Sequence, residues 1–412
     1  MLTPARAELV IDLAAIRHNV RVLRETAGVP LIAVVKADAY GHGMLPVARA
    51  AREAGAEWLA VATLDEVARL RADGDQGRVL TWLTVPDEDY DDAIRAGVDL
   101  SAYSVSELEE IQAAAVYAGA PARVQLKVDT GLHRGGAPRD AWLDLFARAR
   151  LGEREGHWTI TGLWSHFAAS DEPDHPSNDL QEAAFREACA LADDAGLRPE
   201  IRHLANSAAT LLRPSSRFDA VRCGIACYGL DPAPDVAHGT DLRPAMTARA
   251  TLGMVKHLQP GDAVSYGWRW AAEEATTVGL VPVGYGEGVP RMAGDPGPPG
   301  AVAEVGVAGR RRPIAGRVCM DQFMVDLGGT TPPEGSEVVL FGPPAPEGSD
   351  DEYPTAQEWA EACATISYEI VTRIGGRMRR RYVDSEADSV TGTATGADTT
   401  SVPASAVGEV AS

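Results

Sequence analysis

From Leu31 to about Leu230, short apolar runs alternate with amphipathic stretches. The runs are LIAVVKA, WLAVAT, VLTWLTV, GVDLSAY, VQLKVDT, ITGLWSHF, IRHLANS and AVRCGIACYGL. They read as strands, the first of them buried on both faces. Between them lie segments such as TLDEVARLRADG and SVSELEEIQAAAVYAG, which read as helices. Both open with a capping box, Thr63 with Glu66 and Ser104 with Glu107, in which the side chains satisfy otherwise unpaired backbone donors. Gly74 and Gly119 are plausible helix stops. Strands alternating with helices predict a parallel sheet. Eight βα units in roughly 200 residues suit a closed (β/α)8 TIM-like barrel. An open doubly wound sheet is the second choice, and no G-x-G-x-x-G follows the first strand to support it.

The pattern changes after Tyr228. LDPAPDVAHGTDLRPAM reads as a linker, followed by strand signals in MTARATLGMVKHL, DAVSYGWRW, TTVGLVPVGYGEG, RRPIAGRVCMDQFMVDLG and EVVLFG. One helical excursion, TAQEWAEACATISYEIVTRIG, interrupts this β-rich second domain. Before the barrel, AELVIDLAAIRHNVRVL holds a short strand and then a helix, with Asp12 as N-cap and Ile16, Val20 and Leu23 on one face. The division expected is a barrel over 1–237, a C-terminal β domain over 238–384 and a disordered tail over 385–412, with the first strand free to join the second domain. The tail has no aromatic residue, and its small side chains do not offset the entropy of ordering.

Composition narrows the class. The 412 residues exceed the usual size of a single core. Hydrophobic residues make up 45% and charged ones 24%, ordinary for a globular protein. The net charge of −21 argues against a nucleic-acid partner, which needs clustered Lys and Arg. The five cysteines, Cys189, Cys223, Cys227, Cys319 and Cys363, show no CxxC spacing and read as reduced thiols with no metal site. No signal-peptide pattern and no stretch long enough to span a membrane is present, so a cytoplasmic location is expected.

Polar residues gather at the predicted strand ends: Lys36, Lys127, Asp129, His166, Asn206 and Arg222. In a barrel those ends share one rim, where active sites lie. Lys36 closes an apolar strand, although lysine is rarely buried without a partner. Either its amine reaches water, or it holds something covalently. Lysine forms imines with aldehydes, and pyridoxal phosphate is the commonest such partner. Tyr40 lies four residues on, and Gly41 and Gly43 allow a sharp turn.

AVVKADAYGHG resembles the pyridoxal-phosphate signature of the alanine racemase family. LKVDTGLHRGG, GLWSHFAASDE, HLANSAA and VRCGIACYGL resemble its later barrel motifs, and VSYGW, VPVGYGEGVPR, GRVCMDQ and TISYEIVTRI those of its second domain. The likeness runs in order from about Ala7 to Val383. It implies a fold-type III enzyme that interconverts L- and D-alanine for peptidoglycan, with pyridoxal 5'-phosphate as cofactor and a site shared across a homodimer. By this resemblance Lys36 carries the cofactor and acts as one base, and Tyr266 of the partner subunit is the other. One base on each face of Cα is the simplest route to racemisation. His166 assists that tyrosine, with Arg222 behind it and facing the cofactor's ring nitrogen. Arginine does not practically give up a proton, so it leaves that nitrogen unprotonated and the ring a weaker electron sink.

The resemblance also implies Tyr40, Asn206, Ser207, the backbone at Gly224 and Ile225, and Tyr368 around the cofactor's phosphate. Arg134 matches an arginine near the cofactor hydroxyl and the substrate carboxylate. Lys127 matches a lysine often carbamylated to N-carboxylysine, which then pairs with that arginine; the other reading pairs Lys127 with an acid such as Asp129. Met320 and Asp321 correspond to residues at the substrate's carboxylate, and Tyr285 and Arg291 to residues lining the entrance. The chain departs from the family at Leu132-His133, where Met-Gly is usual, and at Gly286-Glu287, where Ala-Asp is usual. These departures keep a broad-specificity or serine-preferring racemase as the alternative. A non-catalytic pyridoxal-phosphate carrier lacks the second domain with Tyr266, and a decarboxylase favours a carboxylate at the position of Arg222.

Overall fold

The computed structural model describes residues 5–295, 301–345 and 349–385. Strand β1 (Ala7–Asp12) leads into a long helix, Leu13–Ala27. Eight short parallel strands follow: β2 (Leu31–Val34), β3 (Trp58–Val61), β4 (Arg78–Thr81), β5 (Asp99–Ala102), β6 (Ala122–Lys127), β7 (Trp158–Trp164), β8 (Ile201–His203) and β9 (Val221–Cys223). They pair in the order β8-β7-β6-β5-β4-β3-β2-β9. The seam between β8 and β9 is closed by backbone bonds from Asp219 N–H to Arg202 O and from Arg222 N–H to Ala205 O, both 2.9 Å. This is the expected (β/α)8 barrel rather than an open sheet. β2, β3 and β5 are buried along their whole length, because helices cover the outside and side chains fill the interior.

Local sequence explains the helix ends. Asp12 accepts from the N–H groups of Ala14 (2.9 Å) and Ala15 (3.4 Å). The face made by Ile16, Val20 and Leu23 is fully buried against the barrel. Thr63 and Glu66 form the reciprocal capping box. At Ser104 only half of it forms: the hydroxyl accepts from Glu107 N–H at 3.1 Å, while the Glu107 carboxylate takes the N–H of Tyr103 and the hydroxyl of Thr84, both at 2.8 Å.

The second sheet is built from β10 (Met246–Thr251), β11 (Met254–Leu258), β14 (Thr276–Val281), β15 (Glu304–Val307), β16 (Arg310–Ala315), β17 (Phe323–Gly328), β18 (Glu337–Phe341) and β19 (Arg379–Val383), joined by β1. Its order is β11-β14-β17-β16-β15-β18-β10-β1-β19. A separate two-stranded hairpin, β12 (Ala263–Val264) and β13 (Trp270–Ala271), carries the Tyr266 turn. β1 lies antiparallel to β10 and parallel to β19, so the first strand belongs to the second sheet. Ala7, Leu9 and Ile11 point into that sheet's core, and the next residues enter the barrel-packed helix. One continuous segment therefore stitches the two units together.

The predicted helical excursion is two helices, Ala356–Ala362 and Ser367–Arg373, broken where Ala364 adopts positive φ. The second lies against the Lys36–Tyr40 turn: a Cβ on Gly41 would come within 2.2 Å of Val371 O. The tail expected over 385–412 lies, except for Ser385, outside the described residues.

Candidate active site

β2 stops at Val34, and Lys36 opens a short turn rather than ending the strand. Ala37, Asp38, Ala39 and Tyr40 all have positive φ, between 51° and 55°. A left-handed non-glycine residue costs roughly 1–2 kcal/mol. The turn is held by its surroundings. Ala37 N–H donates to Glu66 Oε1 (2.7 Å), Met44 N–H to Asp38 Oδ1 (2.9 Å), and Arg380 pairs with Asp38 (2.9 Å). Strain kept in this way is typical of functional positions.

Lys36 Nζ lies 5.5 Å from the ring centroid of Trp82, whose ring is 5.9 Å from that of Trp164. Lys127 Nζ and the Arg222 guanidinium lie over Trp164 at 4.6 and 4.7 Å. Burial lowers the Lys36 amine from its ordinary value, Arg134 lowers it further and Glu66 opposes both. Lys127 falls to about 8, first through burial and then through Arg222 and Arg134. Its proposed pairing with Asp129 does not form; Asp129 instead accepts from the N–H groups of Gly131 (2.8 Å) and His133 (3.2 Å).

Arg222 is almost fully buried. Nη1 donates to His203 Nδ1 (2.7 Å) and His203 O (3.1 Å); Nη2 donates to Ser165 O (2.7 Å), His166 Nδ1 (3.1 Å) and Leu204 O (3.1 Å). Burial lowers Arg222 to about 9, so it stays charged at neutral pH. His166 is held well below the ordinary histidine value by desolvation, then Arg222, Arg134, Lys127 and Lys36. That set of cations, all acting on one imidazole, marks a single positively charged centre at the barrel mouth.

Beside it lies a small cradle. Ser207 Oγ accepts from Gly224 N–H (2.9 Å) and Ala226 N–H (3.4 Å), and Ile225 is buried next to them. A Cβ on Gly224 would sit 2.4 Å from Tyr40 Oη. The Tyr40 ring is 4.9 Å from Tyr228 and 6.3 Å from Tyr368. Asn206 caps the following short helix: its Oδ1 accepts from Ala209 N–H (3.0 Å) and Ser170 Oγ–H (2.9 Å). Only its amide N–H groups remain for another partner.

A second group lies on the β domain. Tyr266 is 68% exposed and Trp268 79%; Tyr285, Arg291, Met320 and Asp321 are exposed as well. Tyr285 N–H donates to Cys319 O (3.0 Å) and Gly286 N–H to Met320 O (2.8 Å). Arg377 links Asp321 (2.7 Å) to Glu287 (2.5 Å), which is fully buried and also accepts from Gly284 N–H (2.9 Å). The backbone on both sides of Tyr266 has positive φ, at Ser265, Gly267 and Trp268. Among the described residues, no hydrogen bond, ion pair or ring contact joins Tyr266 to Lys36. Arg134 is also exposed, without an ion pair among the described residues.

The structure thus brings Lys36, Tyr40, Lys127, His166, Ser207, Arg222, Gly224, Ile225 and Tyr368 to one mouth, whereas Tyr266 stands exposed on the β domain. Sequence reading missed Trp82, Trp164, Gln125, His203 and Arg377. The first four sit inside strand patterns that read as core, and Arg377 lies in an arginine-rich stretch without a motif.

A family model described as alanine racemase, N-terminal domain, matches residues 11–232, and one described as alanine racemase, C-terminal domain, matches residues 245–382. The curated alanine racemase of Streptomyces coelicolor is 51% identical over 387 residues, covering 92% of this chain and 96% of that protein. That of Thermobifida fusca is 50% identical over 380 residues, covering 91% and 98%. The crystal structure of alanine racemase from D-cycloserine producing Streptomyces lavendulae superposes with a TM-score of 0.87 at 49% identity, covering 92% of this chain and 98% of that one. Alanine racemase from Bacillus anthracis with bound L-Ala-P gives a TM-score of 0.82 at 34% identity, covering 93% and 96%.

Proposed function

The chain belongs to the alanine racemase family, and on that premise we propose that it interconverts L-alanine and D-alanine, using pyridoxal 5'-phosphate in a site shared by two subunits of a homodimer. The observation that carries the reading is the convergence of Lys36, the Arg222–His166 pair and the Ser207–Gly224–Tyr40 cradle at one barrel mouth. No described helix is long and apolar enough to cross a membrane.

The residues present fit the cofactor. Lys36 supplies an amine whose lowered pKa leaves more of it uncharged and nucleophilic near neutral pH. The N–H groups of Gly224 and Ala226, which now meet Ser207 Oγ, with the Tyr40 hydroxyl beside them, suit a phosphate. Arg222 can only donate and stays charged, so it suits the unprotonated ring nitrogen. When bound, pyridoxal phosphate makes the Cα proton of an attached amino acid acidic.

The chain's own groups then divide the proton transfer. Lys36 takes or gives the Cα proton on one face. Tyr266 of the partner subunit does so on the other. His166 accepts from Arg222 at Nδ1, so its proton is on Nε2, where it can donate to a phenolate oxygen. Such a bond brings a tyrosine, ordinarily near pKa 10, closer to its ionised form. Tyr266, Trp268, Tyr285 and Met320 form an exposed apolar face, and that exposure supports its burial against a second copy.

Lys127 is the carbamylation site in this reading. Its uncharged amine adds to carbon dioxide, forming an N–C bond and releasing one proton, and the new carboxylate meets Arg134. As a cation Lys127 is disfavoured by Arg222 and Arg134 more than it is helped by Asp129 and Glu107; as a carbamate it complements the two arginines. The D-alanine made serves peptidoglycan synthesis.

The test is conversion of L-alanine by the purified chain, with and without added pyridoxal phosphate, followed by chiral chromatography with L-serine in parallel. Cofactor-dependent D-alanine is the expected result. Bound cofactor without D-alanine overturns it.

A further inference from the structure

Arg222 rests on a chain of buried side chains that runs down into the barrel. A guanidinium only donates, so the Nδ1 atom that receives Arg222 Nη1 at 2.7 Å must offer its lone pair. His203 is therefore neutral, with its proton on Nε2. Nε2 lies 2.7 Å from Gln125 Oε1, a carbonyl oxygen that only accepts. The opposite orientation of the Gln125 amide would set an N–H against that N–H. Each atom's role in the chain is fixed by the next.

Gln125 and His203 are both fully buried. The His203 ring stacks on Trp164 at 5.7 Å with its plane only 8° away. Gln125 stands in the barrel interior because the neighbouring strand makes way for it. The β6–β7 pairing slips between Val124 and Gln125, which face Ile160 and Gly162, leaving Thr161 as an extra residue. A Cβ on Gly162 would lie 2.7 Å from Gln125 Cδ and Oε1. The bulge and the glycine together create the space for the amide.

We propose that Gln125, in the room left by Gly162, is a positioning residue for Arg222: it fixes the His203 tautomer whose Nδ1 holds the guanidinium at the barrel mouth. With no acceptor at position 125, His203 has two poor options. The tautomer that serves Arg222 leaves a buried N–H unpaired, and the other points Nδ1–H at the guanidinium. The first leaves the relay strained by an unpaired donor and the second releases Arg222, whose orientation toward the cofactor's ring nitrogen belongs to the proposed function; the second test below rests on that reading.

The first test needs no cofactor. In protein labelled with 15N-histidine and stripped of pyridoxal phosphate, the nitrogen shifts of His203 should report a neutral ring protonated on Nε2. A proton on Nδ1, or an imidazolium, overturns the relay. The second test uses the loaded enzyme and the fraction of turnovers lost to amino transfer, in which alanine leaves its amino group on the cofactor and departs as pyruvate while pyridoxal phosphate becomes pyridoxamine phosphate. Gln125→Leu keeps the volume and loses the acceptor; it should raise that fraction about tenfold over the native enzyme. Gln125→Glu keeps an acceptor for Nε2–H and should stay within about twofold. A Leu variant that behaves as native, or a Glu variant as disturbed as Leu, overturns the proposal. Arg222→Gln is the control: if it leaves the pyruvate fraction unchanged, the reading of Arg222 toward the ring nitrogen fails, while the histidine spectra still decide the relay.

Discussion

Tyr40 Oη lies 2.4 Å from the position that a Cβ on Gly224 would occupy. Its φ of −107° is not the left-handed value that asks for a glycine. The glycine is needed because a hydroxyl stands where a side chain would begin. Tyr40 has little freedom to retreat, with Tyr228 and Tyr368 at 4.9 and 6.3 Å. Overpacking of this kind costs about 1–3 kcal/mol. Gly224→Ala should therefore weaken pyridoxal phosphate binding on the order of ten- to a hundredfold. Titration of the cofactor into stripped protein, read by absorbance, checks this; an unchanged dissociation constant removes the cradle from the site.

Lys36 and Tyr266 stand apart in one chain, and the proposed site needs both. Lys36→Ala should leave no pyridoxal phosphate fixed to the protein after borohydride reduction, as read by mass spectrometry. Tyr266→Phe should retain the fixed cofactor and lose roughly 10²–10⁴-fold in racemisation rate, the usual contribution of a general acid–base group. Dimers assembled from one copy of each variant carry one intact site. Activity that reappears on mixing two inactive variants supports a shared site, and persistent inactivity in verified mixed dimers counts against it.

Lys127 titrates at about 8 against an ordinary 10.5 because burial and two arginines disfavour its charge. The folded chain binds this proton less tightly than the unfolded chain. The stability penalty is therefore complete below about pH 8 and is relieved as pH rises from there toward 10.5. Lys127→Met, close in length and uncharged, should flatten the pH dependence of the unfolding midpoint in that window. Carbamate formation also draws on the uncharged amine. Native mass spectra in bicarbonate should show one added carbon dioxide in the parent chain, increasing from pH 7 to 9, and none in Lys127→Met.

Glu287 has no exposure, yet it faces Arg6 at 3.2 Å and Arg377 at 2.5 Å and caps Gly284 N–H at 2.9 Å. Through Arg377 this carboxylate is coupled to Asp321. Glu287→Ala strands a backbone donor and two guanidinium groups and should cost about 1–3 kcal/mol. A lowered urea midpoint with an unchanged slope is the expected signature. Since Arg377 also ties down the Met320–Asp321 turn, KM for alanine should rise more than kcat falls.

Much of this architecture was legible before any coordinates. The alternation of apolar runs with capped helical stretches located the eight barrel strands, because a strand buried on both faces must be apolar and a helix must satisfy its first N–H groups. Asp12 and Thr63 cap as their local sequence dictates. The placement of β1 was left open in the sequence, since a short alternating strand suits any sheet with a free neighbour. The strands β15 and β19 gave little signal: β19 is three arginines, a tyrosine and a valine, and it forms because β1 supplies a ladder, not because it buries side chains.

The site divides in the same way. The sequence alone singles out the groups proposed to carry the chemistry, since Lys36, Arg222 and Tyr266 each lie in a long motif. Tertiary structure decided how they are presented. Ala-Asp-Ala-Tyr favours an ordinary right-handed turn, and Glu66, Arg69 and Arg380 from distant parts of the chain, together with the nearby Met44 N–H, hold it left-handed. The tautomer of His203 follows from two partners, 78 and 19 residues away. The separation of Tyr266 from Lys36 follows from the packing of two sheets. Local pattern records what a residue costs to bury or to bend, whereas these arrangements depend on hydrogen bonds and charges that meet only after the chain has closed on itself.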